Sequence, residues 1–134
     1  MVMEIKDKNK LLIIGVDGAS FDIILPLIKK KGLPTFKRLM EQGTWGILES
    51  TIPPVSCPAW QSFITGKEAK NHEIFDWFYY DKNYKLVLNW STDIKGRRYW
   101  EYLNDAGLTC GLVNVPYTYP PKPVKGFLVC GFLA

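Results

Sequence analysis

The sequence predicts an α/β fold: a largely parallel sheet with flanking helices. Three observations carry that expectation. Apolar runs at 11–16 (LLIIGV), 108–113 (LTCGLV) and 127–132 (FLVCGF) have the near-continuous hydrophobicity of strands covered on both faces. Stretches with helical spacing lie between such runs. Glycines and prolines stand at the boundaries, where they stop or open regular elements.

In order, 11–16 is a buried strand closed by the turn Asp17-Gly18. Ser20 is placed to cap a helix over about 21–30, which contains Pro26 and ends near Gly32. Pro34 opens a second helix, 34–42, with Phe36, Leu39 and Met40 on one face, and Gly43 stops it. The run 44–51 (TWGILEST) reads as a second strand with a bulge at Gly46. Next comes Pro53-Pro54-Val55-Ser56-Cys57-Pro58. Pro58 suits a first helical turn, and 58–65 reads as a short helix capped by Gly66. Residues 67–84 hold the only histidine, His72, and the aromatic run 75–80. Their alternation is poor, so they read as irregular, leading to a hairpin through Asp81-Lys82-Asn83 with 85–90 as the returning strand. Residues 93–106 look helical, with Tyr99, Trp100 and Leu103 in register and Gly107 as cap. The Pro-rich loop 115–123 (VPYTYPPKP) separates the last two strands.

The 134 residues suit one domain, 1–134, or part of a larger one. With 47% hydrophobic and 22% charged residues, the chain is of the globular class. The net charge of +4 is scattered over the lysines, so no specific nucleic-acid binding is expected. No apolar stretch approaches the roughly 20 residues of a membrane span, and residues 1–10 are too polar for a signal peptide. Cys57, Cys110 and Cys130 lack metal-type spacing, and their odd count suits reduced thiols in a cytoplasm.

Two positions attract chemistry. In parallel sheets ligands gather at the carboxyl ends of strands. Asp17 lies at one such end, and Ser56 follows the next strand by a short loop, so both are expected on one rim. Ser56 sits at or just before a helix start, where the helix dipole favours an anion. It is either a plain cap or a nucleophile toward phosphate. A serine hydroxyl needs a base or a metal to react. His72 is either that base or a structural imidazole, and the Gly-x-Ser-x-Gly elbow of α/β-hydrolases is absent. Asp17 is either a turn residue or a carboxylate ligand to a metal that lowers the serine's pKa.

The ordered set Asp17-Gly18, Pro34-Thr35-Phe36-x-x-Leu39, Pro53-Pro54-Val55-Ser56-Cys57-Pro58-Ala59-Trp60, Thr65-Gly66 and Asn71-His72-Glu73-Ile74-Phe75-Asp76 resembles the start of the alkaline phosphatase superfamily. The nearest likeness is its type I phosphodiesterase / nucleotide pyrophosphatase branch. The later VNVPYTYPP stretch is similar to that branch too. The resemblance implies that Asp17 is the first metal-ligating aspartate and that Ser56 is the nucleophile and also a metal ligand. It implies two divalent metals, usually Zn²⁺ with Mn²⁺ as an alternative, a phosphoseryl intermediate, and a small phosphate ester as substrate. His72 falls in the family's His-Gly-Ile-like motif as a positional residue, with Glu73 in place of the Gly.

Departures narrow the branch. A sulfatase signature needs Arg where Trp60 stands, which argues against sulfatase chemistry. Ala59 replaces the Asn that often contacts phosphate in nucleotide pyrophosphatases, which puts nucleotide substrates in doubt. Two metals need several Asp and His ligands, and one histidine cannot supply them. The expectation is therefore an incomplete alkaline-phosphatase-like core, the N-terminal part of such a hydrolase domain, inactive alone. The alternative is a non-enzymatic truncated homologue that self-associates or binds a partner through exposed aromatic surface.

Overall fold

The computed structural model describes residues 10–131. The polar start of the chain, residues 1–9, and Phe132, expected to end the last strand, lie outside the described residues. The chain divides into two compact units, Met1–Ile47 and Leu48–Ala134.

The first unit carries two helices. Helix α1, Phe21–Lys31, ends at Gly32, whose φ of 84° is the left-handed cap that glycine adopts without strain. Ser20 occupies its N-cap position without a side-chain capping bond. Helix α2, Pro34–Gln42, begins on proline and stops at Gly43, as its punctuation predicts. The Phe21 and Trp45 rings meet at 5.0 Å. The expected strand at 11–16 does not form a ladder: these residues have no regular secondary structure and are open to solvent, Leu11 being 82% exposed.

The second unit is built on helix α3, Ser56–Thr65. Its buried face is Cys57, Pro58, Gln61 and Ile64, with Cys57, Gln61 and Ile64 at i, i+4 and i+7 spacing. That face enters two core clusters. Cys57 joins Ile74, Ile94 and Tyr117, with Trp77 against them. Two turns on, Ile64 joins Trp100 and Leu112, with Tyr99, Val115 and Leu128 around them. A one-turn helix α4, Ala69–His72, follows, then the hairpin of β1, Phe78–Tyr80, and β2, Leu86–Leu88. The hairpin is antiparallel and turns where Asp81-Lys82-Asn83 predicts. Asp81 holds the turn, its carboxylate accepting the Asn83 N–H at 2.8 Å and the Lys85 N–H at 3.0 Å.

Helix α5, Tyr99–Asp105, is shorter than the expected 93–106. Gly96 at φ 106° is incompatible with helix, so the helix starts at Tyr99 with Arg98 as its N-cap, whose N–H donates to the Glu101 carboxylate at 3.3 Å. Strands β3, Cys110–Val115, and β4, Gly126–Cys130, pair in parallel, with a bulge at Asn114. Thus a parallel pair is present and the fold is mixed α/β. The expected strand at 44–51 is not formed, and Leu48 is 93% exposed. Strand character needs a neighbour to satisfy backbone groups, which a local pattern does not supply.

The pair depends on Gly126. Its φ is 134°, and an added Cβ would lie 2.0 Å from the Cys110 carbonyl oxygen. Gly126→Ala is therefore expected to destabilise the second unit by about 2 kcal/mol, from strain and a displaced ladder bond. The check is a lower midpoint in urea unfolding.

Candidate active site

The site is assembled around the amino end of α3. Val55 is its N-cap residue with extended φ, ψ of −119° and 146°, and Ser56 is the first helical residue. Upstream, the Val55 N–H donates to the Pro53 carbonyl at 2.9 Å, a tight turn that feeds the chain into the helix. Pro58 falls in the first turn, where its missing N–H costs no helical bond. The first intrahelical amide is that of Ala59, which donates to the Val55 carbonyl at 3.2 Å. Ser56 itself is half-buried. It therefore stands where the peptide dipoles of α3 present their positive end.

The residue after Ser56 is anchored. Cys57 is fully buried, and its sulfur lies 3.0 Å from the Tyr117 hydroxyl. Burial pushes the Cys57 thiol up to about 11 and raises the Tyr117 phenol as well. Neither group ionises near neutral pH. Cys57 is thus an inert packing thiol rather than a nucleophile. The Tyr117 ring stacks on Trp77 at 5.3 Å with 7° between planes.

His72 is not positioned as a free base. It is fully buried, and each ring nitrogen is engaged. Nδ1 lies 3.1 Å from the Ile74 amide nitrogen, and Nε2 lies 3.0 Å from Ser62 Oγ on α3. An amide N–H can only donate, so Nδ1 accepts and the neutral ring carries its proton on Nε2, directed at Ser62. Burial lowers the pKa of His72, opposed in part by the backbone of Pro58 and of His72 itself. The His72 carbonyl also accepts the Lys95 N–H at 3.1 Å. The residue clamps α4 to α3, in line with its positional reading.

Asp17 belongs to the first unit. It precedes Gly18, whose φ of 69° makes the expected turn, closed by the Ser20 N–H to the Gly18 carbonyl at 3.1 Å. Ser56 belongs to the second unit. Among the described residues no group of three or more His, Cys, Asp or Glu is arranged to hold a metal ion. One carboxylate and one hydroxyl do not by themselves fit a two-metal centre, which takes about four ligands per metal. No described helix is long and apolar enough to cross a membrane.

One buried group stands out on α3. Gln61 is fully buried, and neither its Oε1 nor its Nε2 has a hydrogen-bond partner among the described residues. A desolvated amide costs about 1–3 kcal/mol. Gln61→Met keeps the length and removes that cost, so it is expected to raise the urea midpoint, by about 1 kcal/mol of stability.

Sequence reasoning did not find Tyr117, which acts on Cys57 from 60 positions away in the chain. The VNVPYTYPP motif was the only sign of it. The Ser62–His72 pair was equally hidden, although both residues flank the Thr65-Gly66 motif.

The sequence model of the type I phosphodiesterase / nucleotide pyrophosphatase family matches residues 11–130. No curated protein matches the chain, and no solved structure matches it. The match takes in both Asp17 and the whole Ser56 helix, and the chain belongs to the type I phosphodiesterase / nucleotide pyrophosphatase family, a family of phosphoester hydrolases.

Proposed function

We propose that this chain contributes the nucleophile-bearing part of an alkaline-phosphatase-like domain that hydrolyses phosphate esters through Ser56. The observation that carries the reading is the position of Ser56: first residue of α3, next to an anchored Cys57, inside the matched segment. The Ser56 hydroxyl attacks phosphorus, the Oγ–P bond forms, and the ester P–O bond breaks. The hydroxyl proton passes to solvent, and the leaving oxygen takes up a proton. Water then attacks the phosphoseryl group, the Oγ–P bond breaks, and Ser56 regains its proton. The positive end of α3 favours the negative phosphoryl oxygens throughout.

Two divalent cations, Zn²⁺ or Mn²⁺, complete the proposal. By the family resemblance Asp17 and Ser56 would each offer an oxygen to such a cation, and among the described residues no group of three or more His, Cys, Asp or Glu is arranged to hold one. Such metals, when bound, lower the pKa of the attacking hydroxyl and neutralise charge on the leaving oxygen. The test is hydrolysis of bis-p-nitrophenyl phosphate by the native protein with and without added Zn²⁺ or Mn²⁺, beside Ser56→Ala. Metal-independent hydrolysis, or hydrolysis that survives Ser56→Ala, rejects the proposal.

One observation favours a second reading, a non-enzymatic homologue that self-associates. Apolar side chains just before Ser56 are open to solvent, with Ile52 90% exposed. Concentration-dependent association by light scattering, with no hydrolysis under any metal, would support it.

A further inference from the structure

Tyr117 has a placement more constrained than packing requires. It is a non-glycine residue at φ 57°, in the left-handed region, and fully buried. Its neighbours fix it from both sides. Thr118 Oγ1 donates to the Val115 carbonyl at 2.7 Å and accepts the Gly131 N–H at 3.0 Å. The Thr118 carbonyl accepts from Cys130 Sγ at 3.4 Å. The loop after β3 is thereby tied to the end of β4, and Trp77 holds the ring flat from the other face. The phenol hydroxyl meets Cys57 Sγ at 3.0 Å.

We infer that Tyr117 is a positioning residue for the reaction at Ser56. The inference rests on the reading of Ser56 as the nucleophile. A rigid line runs from the β3–β4 pair through Thr118 and Tyr117 to Cys57, and Cys57 shares a peptide bond with Ser56. The hydroxyl–thiol contact sets how the first turn of α3 sits against the core, and so where the Ser56 hydroxyl points. Displacements of about 1 Å in a reacting group cost on the order of 100-fold in rate. A residue that only fills space would have no use for the hydroxyl, since a phenylalanine ring would stack on Trp77 equally well.

The experiment is a double-mutant cycle on the native protein, with Tyr117→Phe, Cys57→Ala and the pair, and with Ser56→Ala alongside. Folding is checked by near-UV circular dichroism. Tyr117→Phe is expected to lower kcat about 10-fold to 100-fold with KM within about twofold. Cys57→Ala removes the same contact from the other end and serves if Tyr117→Phe does not fold. The pair is expected to be no slower than the slower single variant, and Cys57→Ser, which keeps a hydrogen-bonding group, to restore most of the rate. A folded Tyr117→Phe with native kcat, or kcat losses that multiply in the pair, overturns the inference while an inactive Ser56→Ala leaves the nucleophile reading standing. Full activity in Ser56→Ala overturns both.

Discussion

Ser56→Ala is expected to lower metal-dependent hydrolysis of bis-p-nitrophenyl phosphate by about 10³-fold or more, to near the background rate. The size follows from what is removed. Without the hydroxyl no phosphoseryl intermediate forms, and the two-step path is lost entirely rather than slowed. The helix dipole and any bound cations still polarise the substrate, so binding should persist and KM should change little. The substitution is mild for the fold, because Ser56 is half-buried at the first position of α3 and alanine is a good helix former. Melting temperatures within a few degrees of the native protein are therefore expected. Trapping gives an independent check: acid-quenched native enzyme should retain a phosphorylated serine peptide containing residue 56, and the variant should not.

His72→Ala should have the largest effect on stability, about 3–4 kcal/mol by urea unfolding. It leaves the buried Ile74 N–H without its ring partner, at about 1–3 kcal/mol, and removes the partner of the partly buried Ser62 hydroxyl. It also opens a cavity between α3 and α4. The same residue gives a pH signature. Its folded pKa lies below the ordinary value of 6.5, because burial disfavours the imidazolium. The unfolded chain therefore takes up the proton first on acidification. The stabilisation is fully present above about pH 6.5, is lost as pH falls below it, and levels off beneath the folded pKa. Subtracting the pH profile of His72→Asn, which cannot titrate, should isolate this sag. A difference profile flat between pH 7 and 5 would show that the ring is not held neutral.

Local chemistry was legible wherever one residue settles a boundary. Pro34 and Gly43 bracket α2, and Gly66 closes α3 at φ 65°. Asp81-Lys82-Asn83 gave the hairpin turn because the Asp81 carboxylate makes its contacts within four residues. The parallel pair was visible as two apolar runs, though Gly126 had no local sign of its role. The runs at 11–16 and 44–51 also read as strands and form no ladder, since an apolar run records what a segment can bury and not whether a neighbour is beside it. In the candidate site, Ser56 and the positional reading of His72 came from ordered motifs. The contacts that give them meaning, Cys57 to Tyr117 and Ser62 to His72, join residues that no periodicity relates. Gly96 carries the clearest missed signal, a glycine in a stretch read as continuous helix.

The bond from the Ile74 amide to the imidazole of His72 has a use in solution. A proton held against a ring nitrogen in a fully buried place cannot trade with solvent deuterium until the ring leaves. The ring cannot leave while Nε2 is engaged with Ser62 on the helix that carries Ser56. Exchange at that single position therefore times the parting of α3 from α4, and a slow, pH-dependent Ile74 amide would be a built-in clock for how firmly the nucleophile helix is seated.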